Sequence, residues 1–445
     1  MEGAQGPGNQ VPGQEIGERL STEEGRGGTS PPASQGPAPL TRDREFLKLW
    51  AGETISLVGS SFSGVALPII AIDSLLASSF QVGLLNALQL LAFPLFGLFV
   101  GVWADRHKKR PTMIIADLGR AFFLGLIPLS FFFSLSMVLL YVIGFAVGTL
   151  QTFFDISYQA YLPFLVKSDQ LVEGNSRLET SRSAATVVGP GIAGFAVAVV
   201  GAPLAVLGDV VGYLGSAGFL SRIRRPEAAP PRREAHVPQD IKEGLQVILH
   251  NRNLSSIALC TGTFNLFNNG FAVAVQILLL RTFSFTPGEF GLVFAIGGLG
   301  AVVAALTSIR IIKRFGVGTS IIFGILVSGV PFILFYWMTE DLAFVVSVVA
   351  FFISGLGGVL YNVAQVSYRQ ALVPLELQGR MNASMRVLVW GPIPAGAIMG
   401  GLLGGLIGIR ETILLTSVAT SLAFLWVMFS PVRSVREIPQ RQAYQ

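Results

Sequence analysis

Charged residues, cysteine and histidine are all scarce in this chain, and each scarcity excludes a class of protein. Only 13% of the 445 residues are charged, about half the share found in soluble domains, which argues against a soluble enzyme. The single cysteine excludes an intramolecular disulfide and a cysteine-rich metal site. The three histidines fall in charged, loop-like stretches, which excludes membrane enzymes built on histidine clusters. There is no GxxxxGK(S/T) loop, so we expect no nucleotide-driven pump. Because histidine clusters are also missing, we expect no enzymatic activity and no cofactor.

Apolar residues make up 51% of the chain, with 51 glycines and 33 phenylalanines. A mean hydropathy of +0.62 indicates a polytopic membrane protein. Since a helix needs about 20 apolar residues to cross a bilayer, the chain has room for twelve spans. The apolar runs predict spans at 46–75, 81–103, 112–133, 137–160, 176–200, 203–221, 254–281, 289–311, 317–338, 342–367, 381–408 and 411–431.

These runs predict an all-α membrane protein whose twelve spans form two six-helix bundles. We expect bundles at 45–221 and 253–431, joined by a basic, proline-rich cytoplasmic linker at 222–252. Residues 1–44 are rich in Gly, Pro, Ser, Gln and Glu, a composition typical of disordered segments. We therefore expect a disordered cytoplasmic tail at 1–44 and a second cytoplasmic tail at 432–445.

The basic residues predict the orientation of the spans. If the amino-terminal tail is cytoplasmic, only Arg281 and Arg410 fall on the outer side and only Arg120 lies within a span. All other Lys and Arg residues then lie on the inner side, as the positive-inside rule requires. The pI near 9.5 is therefore a topology signal, and it does not indicate a nucleic-acid partner.

The two predicted bundles repeat each other in sequence. Ser157-Tyr158 matches Ser367-Tyr368 at an offset of 210, and Gly83-Leu84 matches Gly291-Leu292 at 208. Six spans repeated once in parallel orientation is the plan of a rocking-bundle transporter.

The most specific motif is GVWADRHKKRP at residues 101–111, between spans two and three. It resembles the GxxxDRxGRR signature of the major facilitator superfamily, with Lys108 in place of the second glycine. The positions that fit are Gly101, Asp105, Arg106, Lys109 and Arg110.

Asp105 near the membrane boundary suggests a gate latch between the halves. The corresponding place in the second half carries Lys313-Arg314, so the acid exists on one side only. Arg380 or Arg386, near the start of span eleven, is the predicted partner of Asp105. The alternative is an ordinary basic loop on the inner side.

A GPxxAG hexamer occurs in span five, and a related GPxPAG hexamer in span eleven. It resembles the GPxxGG motif of superfamily exporters, which implies antiport, but it is also compatible with a simple packing kink. The candidate kink residues are Gly189, Pro190, Gly194, Gly391, Pro392 and Gly396.

The resemblance extends from residue 46 to nearly the end of the chain. Segments such as DISYQAYLP at 155–163 look like the macrolide-efflux and enterobactin-exporter branch. That resemblance implies export of amphipathic molecules (drug, macrolide-like or siderophore-like) by proton antiport across the cell membrane, with drug resistance as a consequence. Span four lacks the arginine that many drug-proton antiporters carry there, so proton coupling needs another arrangement.

Polar residues inside spans are costly, so they are functional candidates. The first half holds carboxylates, and we expect Glu53 and Asp155 to bind the coupling proton unless both lie in solvated boundary positions. The second half is expected to supply neutral hydrogen bonds to cargo, although its asparagines are equally suited to interhelical bonding. The cavity candidates are Ser60, Gln151, Tyr158, Asn265, Asn268, Asn269, Gln276, Tyr361, Gln365 and Tyr368.

Three further intramembrane groups remain. Asp117 and Arg120 are three residues apart in span three, so we favour a structural ion pair over a role in proton coupling. Asp209 in span six is either a proton relay or an interhelical hydrogen-bonding group. The sequence thus predicts a monomeric proton-coupled exporter of small molecules in a lipid bilayer. A proton-coupled uptake symporter and a non-transporting membrane receptor stay open as alternatives.

Overall fold

A computed structural model describes most of the chain. The described residues are residue 3 and residues 40–130, 135–167, 170–227 and 237–437. For a few residues inside helices only the backbone is described. The tail predicted at 1–44 thus lies mainly outside the described residues, as does the end of the tail predicted at 432–445. Every regular element in the described ranges is helical, which confirms the predicted all-α fold.

Twelve helices in the described ranges are long and apolar enough to cross a membrane, and each overlaps one predicted span. Several helices are longer than the predicted spans, because apolar runs do not reveal the polar ends of a helix. The second helix continues to Arg106, and the helix that contains span five begins at Leu171. The spans, numbered one to twelve, are Arg44–Ser74, Ser79–Gly97, Lys109–Leu129, Met137–Leu165, Glu173–Val200, Ala202–Ser221, Arg252–Thr282, Pro287–Phe315, Val317–Tyr336, Glu340–Leu372, Arg380–Leu406 and Ile409–Met428.

The internal repeat is visible in the backbone. Spans one and seven both end in a π-helical turn, at Ile70–Ser74 and at Leu278–Thr282. Each turn is followed by a residue with positive φ, Leu76 at 49° and Ser284 at 50°. The same unusual backbone therefore recurs at the sequence offset of 208 that relates Gly83 to Gly291.

Because twelve spans lie between them, the start of span one and the stretch after span twelve lie on the same side of the helix bundle, here named the terminal side. Asp43, before span one, pairs with Arg225, after span six, at 3.0 Å. The backbone N–H of Gly318, at the start of span nine, donates to the carbonyl of Val435 near the chain end at 2.9 Å. The odd-numbered spans end on the opposite side, here named the far side.

The two halves share a hydrophobic core at the far side only. The largest buried cluster combines residues of both halves, such as Ile70, Leu85, Phe271 and Phe290. Toward the terminal side the buried clusters are separate, and each contains residues of one half only. The halves are therefore closed against each other at the far side and packed independently at the terminal side.

Glycines make the far-side closure possible. A Cβ on Gly83 in span two would lie 2.6 Å from the carbonyl oxygen of Ala397 in span eleven. The repeat-related Gly291 in span eight approaches span five in the same way, and a Cβ there would lie 2.3 Å from the carbonyl oxygen of Pro190. Real side chains do not fit at these distances, so both seams require glycine.

Replacing Gly291 by leucine should therefore open the far side. Overpacking a closed seam costs about 1–3 kcal/mol, so the population open at the far side should rise about ten-fold. A cysteine introduced at the other seam by Ala397→Cys reports this opening. Its rate of labelling by a membrane-impermeant maleimide should rise when the far side opens. The natural Cys260 is buried and gives little background. Gly125→Leu, where a Cβ meets open space, is the control; equal labelling in both variants would contradict a seam role for Gly291.

The predicted linker contains a helix, Val237–His250. Glu243 of this helix pairs with Arg380 at the start of span eleven. A Cβ on Gly244 would lie 2.3 Å from the Arg380 carbonyl oxygen, so the two helices touch through backbone. Ile248 packs into a buried cluster of the second half. The linker is thus partly a helix that is docked on the carboxy-terminal half.

Candidate functional site

Asp117 and Arg120 form the ion pair that their spacing predicts, deep inside the first half. Their side chains are 0% and 1% exposed. The Arg120 guanidinium lies between two aromatic rings, 4.4 Å from the centroid of Phe154 and 4.1 Å from that of Tyr213. Burying a charged pair is costly, and the two ring faces offset part of that cost through cation–π attraction.

Arg120 also supplies a cation to span four, which has none of its own. Its guanidinium donates to Gln151, and the Gln151 amide donates to Asp155 at 2.8 Å. The chain from Arg120 through Gln151 to Asp155 links spans three and four. The arginine that is missing from span four is therefore replaced in space by one from span three.

Glu53 and Asp209 are two more buried acids in the same half. Glu53 is 6% exposed, it lies 4.0 Å from Arg182 of span five, and its Oε2 has no hydrogen-bond partner among the described residues. Asp209 is 1% exposed and lies beside Ser63 and Tyr213, and no described residue bonds to its Oδ1. Both acids are inside the helix bundle, so the solvated boundary positions considered for Glu53 are not where the structure places it.

The polar residues of span one differ in their burial. Glu53, Ser56 and Ser63 are buried, whereas Ser60 is exposed and its hydroxyl donates to the carbonyl of Leu57 at 2.9 Å. Tyr158 in span four is buried and stacks on the Phe154 ring. Tyr158 therefore packs inside the first half.

The asparagines of span seven bond to the backbone around them. Asn265 donates to the carbonyl of Val389 in span eleven at 2.8 Å, and Asn269 donates to the carbonyl of Asn265 at 2.8 Å. Asn268 and Gln276 line a second cavity of about 410 Å³ between spans seven, eight and ten. Interhelical bonding is thus observed for Asn265, which also lines a cavity between spans seven, ten and eleven, named here the main cavity for its central place in the second half.

The polar residues of span ten face two different neighbours. Tyr361 bonds to Thr261 of span seven and lines the main cavity together with Gln365. Tyr368 accepts a hydrogen bond from Asn253 at 2.9 Å and is buried nearer the terminal side. The structure therefore joins Tyr361 and Gln365 in one cavity and leaves Tyr368 outside its lining.

The main cavity of the second half has a volume of about 400 Å³. A smaller cavity of about 140 Å³ lies between the halves, where Gln151 and Asp155 of span four face Trp390 of span eleven. Trp390 lines both cavities and packs against Phe93 of span two at 4.6 Å between ring centroids. The described lining of the main cavity is Thr261, Phe264, Asn265, Gly358, Tyr361, Asn362, Gln365, Val366, Arg369, Met385, Arg386, Val389 and Trp390.

The sequence predicts only neutral hydrogen-bonding groups for the second half, but two arginines also line this cavity. Arg369 follows Gln365 by four residues on the same face of span ten, so the helical period could have revealed it. Arg386 was expected to be a gate partner, and the structure places it at the cavity wall. The second half therefore offers cationic groups as well as neutral ones.

The motif at residues 101–111 contacts residues of its own half in this conformation. The backbone N–H groups of Lys109 and Arg110 donate to the carboxylate of Glu227 at 2.6 and 3.2 Å, so Glu227 caps span three. A Cβ on Gly101 would meet nothing within 4 Å, so this glycine makes no close helix contact here. Glu227 follows span six and was not predicted. The side chain of Asp105 lies outside the described residues.

Both predicted partners of Asp105 have other neighbours in this conformation. Arg380 pairs with Glu243 of the linker helix. Arg386 donates to Gln159 of span four at 3.3 Å, across the two halves. The latch stays a prediction for a conformation in which the terminal side is closed.

The hexamer in span five serves close packing. Span five lies within one continuous helix, Leu171–Val200, although Pro190 lies inside it. A Cβ on Gly189 would lie 2.1 Å from the Ser61 hydroxyl of span one, and one on Gly194 would lie 2.5 Å from the Pro287 carbonyl oxygen of span eight. This hexamer therefore contacts both halves.

The hexamer in span eleven interrupts its helix. One helix ends at Trp390 and the next, Pro392–Leu406, begins after Gly391. A Cβ on Gly396 would lie 2.0 Å from the carbonyl oxygen of Leu266 in span seven. The same motif thus produces a break in one half and a continuous helix in the other.

The sequence profile of the Major Facilitator Superfamily matches residues 49–268 and 257–443. The chain belongs to this superfamily. Among curated proteins it is 22% identical over 399 residues to macrolide efflux protein A of Streptococcus pyogenes, covering 88% of this chain and 97% of that protein. It is 26% identical over 370 residues to the enterobactin exporter EntS of Shigella boydii, covering 80% and 84%.

Solved structures show the same fold. A bacterial homologue of the iron transporter ferroportin in an inward-facing state aligns with a TM-score of 0.72 and 16% identity, over 87% of this chain and 98% of that one. The nucleoside transporter NupG aligns with a TM-score of 0.66 and 12% identity, over 86% and 99%. The chain is therefore a multi-pass membrane transporter of the superfamily fold, and the family resemblance read from the sequence is confirmed.

Proposed function

We propose that the protein exports amphipathic small molecules by proton antiport through alternating access. The observation that carries this proposal is the asymmetric closure of the two halves. They share one core at the far side and have separate cores, with a cavity of about 400 Å³, toward the terminal side. This is the arrangement expected of one end state of a rocking cycle.

The direction of transport follows from orientation and from relatives. The terminal side carries nearly all the basic residues outside the spans, so we assign it to the cytoplasm. The cavity then opens toward the cytoplasm, where an exporter collects its cargo. Two relatives, named a macrolide efflux protein and an enterobactin exporter, support export. We place the protein in the cell membrane as a monomer, and export of a drug would confer resistance.

Proton coupling is assigned to the acids of the first half. Glu53, Asp117 and Asp209 are buried in that half together with Arg120, and Asp155 is half-buried and is joined to Arg120 through Gln151. Buried acids in excess of their cationic partners are costly unless some bind a proton, which is what a coupling site needs. Asp117 is held by Arg120, so Glu53 and Asp155 are the groups proposed to exchange protons with cargo movement.

Transport in vesicles that contain only this protein tests the proposal. The dyes carboxyfluorescein and rhodamine 6G share one ring system and carry opposite charge. An imposed pH difference should drive accumulation of at least one of them, and an ionophore that collapses the gradient should abolish it. Asp105→Asn should slow transport if Asp105 latches the terminal side. Accumulation of neither dye, with the protein folded and inserted, would contradict the proposed function.

A further inference from the structure

The main cavity of the second half is cationic. Arg369 of span ten and Arg386 of span eleven both line it, and the described lining contains no aspartate or glutamate. The other polar groups around it are neutral amides and hydroxyls. Two like charges at one cavity repel each other, and an anion bound between them would relieve this repulsion.

The two guanidinium groups have few partners of their own. Arg369 is half-buried, its Nη2 donates to Asn382 at 3.3 Å, and its buried Nε bonds to no residue that the structure describes. Arg386 is exposed, and its Nη2 donates to Gln159 at 3.3 Å. A guanidinium carries five N–H donors in a planar fork. Most donors of this pair are therefore not used by the described residues, and they can reach a ligand in the cavity.

A second, independent observation also points to a ligand. Gln365, one helical turn from Arg369, is 4% exposed and lines the cavity, yet its side-chain oxygen has no partner in the described part of the chain. A buried polar atom without a partner is costly in a folded protein. A bound molecule that donates a hydrogen bond beside its acidic group would satisfy this oxygen.

The remaining wall of the cavity is apolar and aromatic. Phe264, Met385, Val389 and Trp390 face the same space as the two arginines. Arg386 lies 6.0 Å from the centroid of the Trp390 ring. A ligand that fits both surfaces carries an anionic group at one end and an aromatic or aliphatic body at the other.

We propose that this cavity binds the cargo through its acidic group, and that the cargo class is an amphipathic organic anion bearing a carboxylate or sulfonate. Arg369 and Arg386 hold the anion, as the planar guanidinium does in bidentate contacts with carboxylates. Gln365 orients the group, and Phe264 and Trp390 hold the body. This inference rests on the proposed function and adds the charge of the cargo to it.

Equilibrium binding to the full-length protein in detergent tests the inference. Carboxyfluorescein is the anionic probe, rhodamine 6G is the cationic probe with the same ring system, and fluorescence anisotropy gives both affinities. We expect the natural protein to bind carboxyfluorescein at least ten-fold more tightly. Arg369→Gln and Arg386→Gln should each weaken that binding about ten-fold, the worth of one charge-assisted hydrogen bond, and leave rhodamine 6G binding unchanged.

Controls separate a binding role from a structural one. Arg310→Gln removes an exposed arginine of the same half that does not line the cavity, so it should bind both dyes as the natural protein does. Arg386 is exposed, so its variant is expected to fold even if Arg369→Gln does not, and size-exclusion profiles check both. Arg369→Lys should retain part of the lost affinity, because the charge is restored without the planar fork.

Three results would overturn the anionic cargo: no binding of carboxyfluorescein, tighter binding of rhodamine 6G, or equal affinities for carboxyfluorescein in folded arginine variants and the natural protein. None of these contradicts gradient-driven transport. Failure of the proposed function has a different signature, in which arginine-dependent dye binding is intact while a pH gradient drives no accumulation.

Discussion

Replacing Arg120 by methionine should lower the free energy of unfolding by about 3–5 kcal/mol, the cost of removing one partner of a buried ion pair. Asp117 would be left charged and fully buried, with one of its oxygens already without a partner. Methionine is unbranched and adapts to irregular gaps, so we expect it to fill most of the space between the Phe154 and Tyr213 rings and to leave no large cavity. Denaturant unfolding of the purified protein in detergent measures this change.

The double variant Asp117→Asn/Arg120→Met is the matched control for this effect. It removes the stranded charge together with its partner, so it should recover most of the lost stability, as buried ion pairs replaced as a whole often do. If the single and double variants unfold at the same denaturant concentration, the ion pair is not what stabilises span three.

Neutralising both candidate coupling acids should abolish accumulation against a gradient. One pH unit supplies about 1.4 kcal/mol per proton, which supports a concentration ratio of about ten for each proton exchanged. In Glu53→Gln/Asp155→Asn the ratio should fall to about one. Exchange of labelled for unlabelled cargo should persist, because neither acid lines the main cavity or either glycine seam. Accumulation and exchange are both measured in vesicles.

Asp73→Asn is the control for the acid variants, because Asp73 is an exposed acid at the far end of span one. It should accumulate cargo as the natural protein does. Full accumulation in the double acid variant would contradict the assignment of coupling to Glu53 and Asp155, and loss of exchange as well as accumulation would indicate a defect in folding or cargo binding.

The fold could be predicted from the sequence because each span carries its own signal. The twelve apolar runs, the repeat at an offset of 208 and the basic loops can all be read from the sequence, and none of them depends on how the helices pack. The ends of the helices were predicted less well. Span five belongs to a helix that begins at Leu171, where polar residues continue the helix beyond the apolar window.

The candidate site could be predicted only in part, because burial and partners are properties of the assembled bundle. Asp117 and Arg120 are neighbours on one helix, and their spacing revealed the pair. The contact from Arg120 to Gln151 crosses two spans, and no sequence spacing encodes it. Arg369 carried a readable signal, since it follows Gln365 by one turn. Glu227 carried none, because it reaches span three from the connection after span six.

Proton antiport is tested most directly by the lumenal pH of vesicles that contain the purified protein. Cargo is added outside with no gradient imposed, and a trapped pH indicator with emission distinct from the transported dye follows the lumen. Proton antiport predicts that the lumen becomes more alkaline as cargo enters, in either orientation of the protein, and that Glu53→Gln/Asp155→Asn removes the signal. A lumen that becomes more acidic would indicate symport, and cargo entry without any pH change would contradict proton coupling.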